Sequence, residues 1–153
     1  MIRVLFVCLG NICRSPMAEA VFQQKVRLAG LENQIEADSA GTGGWHEGQP
    51  PHVGTRRILA AHHVPYDGTA RQIRAGDLRT FDYIVTMDEQ NFRDVSALPT
   101  GTGQIIRFLD FAPPSDVREV PDPYYTGEFD KVYALADAAA DGLLAAIRRE
   151  HNL

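Results

Sequence analysis

A chain of 153 residues, 44% apolar and 23% charged, is long enough to bury a real hydrophobic core and ordinary enough in composition for one globular unit. Its net charge of −5 supplies no basic field for nucleic acid, and its two cysteines allow neither a disulfide framework nor a four-thiolate zinc site. No apolar run reaches the length of about 18 residues that would span a membrane, the N-terminal apolar run is too short for a secretory signal, and two thiols close together suit a reducing cytoplasm.

Residues 2–8, "IRVLFVC", are rich in β-branched and aromatic side chains with little alternation, which predicts a fully buried parallel strand. Residues 15–30 predict a helix, with Ser15 as N-cap, Pro16 at the first helical position and Gly30 ending it. A short strand is expected over 34–39, running into a Gly-rich loop, and a helix from Pro51 through His62. "FDYIVTM" at 81–87 reads as a second buried strand, followed by a helix capped by Asp88 and reaching about Leu98. A further strand is expected near 104–109, then a loop with four prolines, then a long Ala-rich helix over 127–150. Strands alternating with helices predict an α/β chain, residues 1–153 as a single domain. Its four-stranded parallel twisted sheet carries helices on both faces in a flavodoxin-like or Rossmann-like arrangement. In such sheets ligands bind beyond the carboxyl ends of the strands, so the active site is expected where the first strand ends.

The stretch "CLGNICRS" at 8–15 leaves the first strand at that end. A loop wrapping inward from Cys8 to Arg14 turns its backbone amides toward a common centre, and the helix that follows adds free N–H groups and its positive end. Gly10 is expected to supply a backbone conformation closed to other residues, and Arg14 a planar fork for two anion oxygens. The same surroundings favour an ionised Cys8 sulfur. Together these point to a tetrahedral oxyanion over a nucleophilic thiolate, hence phosphoryl transfer through a phosphocysteine. The residues alone leave open the blander alternative, a cysteine that is a small buried hydrophobe. Departure of an alkoxide or phenolate from phosphorus needs a proton. Asp122, between Pro121 and Pro123 in "VPDPYYTG", is the candidate acid, with a stiff surface turn as the alternative. Tyr124 and Tyr125 offer flat surface for an aromatic substrate ring.

"VLFVCLGNICRSPMAEAVF" followed far downstream by "DPYY" resembles the low-molecular-weight protein tyrosine phosphatases, and "SAGT" at 39–42, "ARQI" at 70–73 and "FDYIVTMDEQN" at 81–91 fall in that family's order. The resemblance implies hydrolysis of protein phosphotyrosine and small aryl phosphates, with Cys8 as nucleophile. Phosphate would be bound by Arg14 and by the backbone of Leu9, Gly10, Asn11, Ile12 and Cys13, and Asp122 would serve as acid and then base. It further implies that Asn11, Ser15 and Ser39 shape the loop and stabilise the thiolate, and that Trp45 and Tyr124 wall the cleft. No cofactor or metal is implied. The partner would be a phosphotyrosine-bearing protein, met by a monomer or weak dimer with no nucleic acid or membrane involved. At one position the chain departs from the pattern: Gly68 stands where the family often has a histidine tied to the loop through serine. Looser support behind the loop, or support completed by water, is therefore expected. Arsenate reduction on the same scaffold and a phosphocysteine carrier are the alternatives. The first would need cysteines beyond Cys13, and the second would have no use for Asp122.

Overall fold

β1 (Ile2–Cys8) is buried from Val4 to Cys8 because it lies inside the sheet and both of its faces are covered. The computed structural model describes residues 1–153 and contains one sheet of order β2-β1-β3-β4, all parallel, with β2 at Ile35–Gly41, β3 at Tyr83–Thr86 and β4 at Gln104–Arg107. Val4, Phe6 and Cys8 point into the larger core, shared with α1 (Arg14–Leu28) and the C-terminal helix Phe129–His151. Leu5 and Val7 point the other way, onto Ile84, Leu78, Phe81 and Val95. The absence of alternation in β1 thus reflects two apolar faces. Phe6 is fully buried, with the rings of Phe22 and Phe108 each centred 5.4 Å from its own. Burying a ring of this kind contributes about 2–3 kcal/mol.

Between these elements run α2 (Val53–Ala61), α3 (Asp77–Thr80), α4 (Glu89–Ser96), a 3₁₀ turn at Phe108–Phe111 and α5 (Pro123–Thr126), so that Phe129–His151 is α6. α6 crosses α1 closely, and Lys25 joins Asp137 and Asp141 at 2.8 and 2.9 Å along that seam. Gly142 lets α6 come down on the 3₁₀ turn, since a β-carbon there would strike the Phe111 carbonyl. No helix is long and apolar enough to cross a membrane.

Several boundaries differ from expectation for local reasons. α1 begins at Arg14, and Ser15 lies inside its first turn instead of capping it. The Ser15 hydroxyl is taken by Cys8 and Asn11, and the N-terminal position, Cys13, makes no side-chain cap. β2 continues to Gly41 because Ser39–Gly41 pair with Phe6–Cys8. α2 starts at Val53, where His52 accepts from the Gly54 amide. β4 stops at Arg107 as the chain tightens into the 3₁₀ turn. Asp88 caps α4 as expected, in a capping box with Asn91. The sheet order turns outward in both directions from β1 and β3, which opens the crevice at their carboxyl ends. Cys8 is the last residue of β1 and stands at that crevice.

Candidate active site

The five residues between β1 and α1 form a tight loop around the Cys8 sulfur. The backbone amides of Leu9, Gly10, Ile12 and Cys13 find no acceptor in the protein, and the Asn11 amide donates to Cys8 Sγ at 3.3 Å. The residue in the left-handed region is Asn11, with φ of 57°, not Gly10. Asn tolerates that conformation better than most side chains. Gly10 serves in another way: a β-carbon there would lie 3.2 Å from His46 Cδ2, so its lack of a side chain lets His46 pack over the loop.

Arg14 is buried at the start of α1, and its guanidinium is held by one edge. Nη1 donates to Asp88 Oδ2 at 2.6 Å and to the Val120 carbonyl at 3.1 Å. Nη2 lies 3.5 Å from Asp122 Oδ2, and the buried Nε has no partner. The Nε–Nη2 edge is therefore the one available to a bidentate anion. Burial opposes the Arg14 charge, but Cys8, Asp88 and Asp122 outweigh it and hold the guanidinium above its ordinary range.

Asp122 caps α5: its Oδ1 accepts from the Tyr124 amide at 3.1 Å, and Pro123 takes the first helical position. The carboxyl is thus fixed at the cleft instead of riding on a mobile turn. Tyr124 and Tyr125 meet edge to face with ring centres 5.3 Å apart, and with Trp45 they form an exposed aromatic rim. Gly43 makes room for the Trp45 ring, which a β-carbon would strike.

These groups line one cleft of about 230 Å³: Cys8, Leu9, Gly10, Ile12, Cys13 and Arg14 at its floor, Asp122 at one side, and Trp45, Tyr124 and Tyr125 at its mouth. Cys8 is 2% exposed, so the sulfur is recessed. Asn11, Ser15 and Ser39 are buried behind the loop and outside the cleft lining. Cys13 is also buried; burial, then the charges of Cys8 and Asp122, push its thiol up to about 12, which keeps it protonated. Chemically, the arrangement can seat a tetrahedral anion against unsatisfied amides and a cationic fork, with a sulfur beneath it and a carboxyl beside it.

The family model for low molecular weight phosphotyrosine protein phosphatases matches residues 3–153. The chain belongs to this family. Among curated relatives, the low molecular weight protein-tyrosine-phosphatase YfkJ of Bacillus subtilis is 51% identical over 156 aligned positions that cover all of both chains. PtpA of Staphylococcus epidermidis is 43% identical over 154 positions, covering all of this chain and 98% of the other. The crystal structure of YfkJ superposes with a TM-score of 0.95 over 98% of this chain and 96% of that one. A protein tyrosine phosphatase from Entamoeba histolytica, solved with Hepes in its active site, is 34% identical with a TM-score of 0.91 over 99% of each chain.

Three parts of this phosphatase's site were not expected from its sequence. Asp88, anticipated only as a helix cap, also anchors Arg14 across 74 residues of chain. His46 lines the cleft and is steadied by Gln49, 2.9 Å from its Nδ1. The third concerns Gly68. The support behind the loop is not looser for want of a histidine there. Ser39 Oγ donates to Glu19 Oε1 at 2.6 Å, and the Tyr66 hydroxyl donates to the same oxygen at 2.9 Å. A β-carbon at position 68 would collide with that hydroxyl, so glycine makes room for the tyrosine.

Proposed function

We propose that the chain hydrolyses phosphotyrosine in proteins, and small aryl phosphates, through a phosphocysteine on Cys8. The observation that carries this is a recessed sulfur encircled by loop amides that have no acceptor in the protein, beside an arginine whose Nε has no partner and whose Nη2 makes only a long contact, 3.5 Å, with Asp122. The phosphate oxygens sit on the amides of Leu9, Gly10, Ile12 and Cys13 and on Nε and Nη2 of Arg14. The Cys8 thiolate attacks phosphorus, the bond from phosphorus to the phenolic oxygen breaks, and Asp122 gives that oxygen its proton. Water then attacks the phosphocysteine and loses a proton to the Asp122 carboxylate. The sulfur–phosphorus bond breaks, which restores the thiolate and releases inorganic phosphate. The amides and the guanidinium stabilise the charge on the equatorial oxygens through both steps. The Ser15 hydroxyl and the Asn11 amide, 3.0 and 3.3 Å from Sγ, stabilise the sulfur anion when it leaves.

Trp45, Tyr124 and Tyr125 stack against the substrate ring at the cleft mouth. The partner is a phosphotyrosine-bearing protein, met by this chain as a monomer or weak dimer in the cytoplasm. A carrier would gain nothing from a carboxyl fixed beside the fork, and the chain has no cysteine after Cys13 to relay a disulfide in arsenate reduction.

The test is hydrolysis of one peptide carrying either phosphotyrosine or phosphoserine, with a chelator present. The phosphotyrosine form is expected to turn over faster by roughly a hundredfold or more, because a short serine side chain cannot bring its phosphate down to the sulfur in attacking geometry. Equal rates, or loss of turnover with the chelator, would contradict the proposal.

A further inference from the structure

We propose that Glu19 and Tyr66 form a positioning pair that dictates, through Ser39, Asn11 and Ser15, which hydrogen faces the Cys8 sulfur; the inference rests on Cys8 as the nucleophile. Ser39 has one hydroxyl hydrogen, and Glu19 Oε1 takes it at 2.6 Å. The Ser39 oxygen can then only accept, and it does so from Asn11 Nδ2 at 2.9 Å. This fixes the Asn11 amide, with Nδ2 toward the two serines and Oδ1 accepting from the Arg71 amide at 2.9 Å. The other Nδ2 hydrogen goes to Ser15 Oγ at 2.8 Å. Ser15, already accepting, turns its single hydrogen to Cys8 Sγ at 3.0 Å. The distance alone would allow either atom to donate; the rest of the network makes serine the donor and the sulfur the acceptor, which favours the thiolate.

Without an acceptor at Glu19 this polarity is enforced from one end only, by the Arg71 amide on the Asn11 oxygen. The Ser39 hydrogen is released to compete for Asn11, and in the fraction of molecules where Asn11 turns, Ser15 donates to it instead of to the sulfur. Tyr66 keeps Glu19 in place by donating to the same oxygen, and Gly68 makes that reach possible. Neither Glu19 nor Tyr66 lines the substrate cleft. Both line a separate cavity of about 490 Å³ with Gln23, Arg27 and Gly68, so they act on the sulfur without touching substrate. Burial is the main force on the Glu19 carboxyl and pushes it up to about 7; bonds from Ser39 and Tyr66 oppose the rise, Asp38 adds to it and Arg71 opposes it. An amide side chain offers the same acceptor oxygen whatever the pH, which separates the role of acceptor from that of charge.

The test is the rate of iodoacetamide alkylation at Cys8, read by mass spectrometry of the Cys8 peptide, in the full-length wild type, Glu19→Ala, Glu19→Gln and Tyr66→Phe. Near pH 6, Glu19→Ala is expected to react roughly five- to tenfold more slowly than wild type, the scale of one ordinary net hydrogen bond, with the two rates converging above about pH 9. Glu19→Gln should recover to within about twofold, and Tyr66→Phe should fall between the two. KM for p-nitrophenyl phosphate should change less than kcat/KM, since no substrate contact is removed. A folded Glu19→Ala with the wild-type profile would overturn the pair. If that variant does not fold, Tyr66→Phe decides, because it deletes a single hydroxyl, and a wild-type profile from it would equally overturn the proposal. A wild-type rate that already climbs like that of free cysteine would instead remove the assignment of Cys8 itself, and the pair with it.

Discussion

Cys8→Ser is expected to lower turnover of p-nitrophenyl phosphate by roughly five to six decades, the scale of losing a covalent nucleophile, with the far-ultraviolet circular dichroism unchanged. The exchange is nearly isosteric, and residue 8 sits at the end of a strand paired on both sides, so the loop should keep its shape. What changes is ionisation. Inward amides and a guanidinium stabilise an anion, which a thiol readily becomes near neutral pH and a hydroxyl does not. A serine in this position would therefore have the site's electrostatic support and no charge to receive it. Turnover within about tenfold of wild type would mean that another group attacks phosphorus.

Asp122→Asn is expected to lower kcat by roughly two to four decades, the usual worth of a general acid. Asparagine is the informative replacement. Asp122 caps α5 through the Tyr124 amide, and alanine would remove both the proton and the cap. Loss of such a cap costs about 1 kcal/mol. Asparagine keeps the cap and removes the carboxyl that gives and then takes the proton. The loss in kcat/KM, which reports formation of the phosphocysteine and not its hydrolysis, should be greater for phosphotyrosine than for p-nitrophenyl phosphate, because nitrophenolate leaves without protonation far more readily than the tyrosine phenolate. An equal loss in kcat/KM for both substrates would indicate that Asp122 positions the fork, 3.5 Å away, and does not protonate the leaving oxygen.

What the sequence makes legible here is what lies contiguous in it. The strand, the loop and the helix run from residue 2 to residue 28 without interruption, so the recessed sulfur, the amides and the arginine can be read in order. Asp122 stood out because prolines flank it. The groups that hold this machinery come from elsewhere in the chain. Asp88 reaches Arg14 because β3 lies beside β1 in the sheet, a neighbour relation that spacing alone does not disclose. Ser15 looked like a cap because serine before proline commonly is one; a nearby sulfur and amide competed for its hydroxyl. Gly68 looked like a gap in the support, yet a missing side chain also makes room. The tyrosine that fills the room lies only two residues away, and its reach back to Glu19 becomes visible only when 47 residues of chain have been folded. The four-residue helices α3 and α5 are too short for any period to show.

A covalent bond between Cys8 and phosphorus during turnover is the step from which the roles of the loop amides, Arg14 and Asp122 all follow. Acid quenching within the first turnovers of a good aryl phosphate, followed by mass spectrometry of the peptides, tests this directly. The expected result is a phosphoryl group on the Cys8 peptide that appears before phosphate release and decays with it. Steady turnover with no phosphoryl group on that peptide, or with one on a different residue, would contradict it.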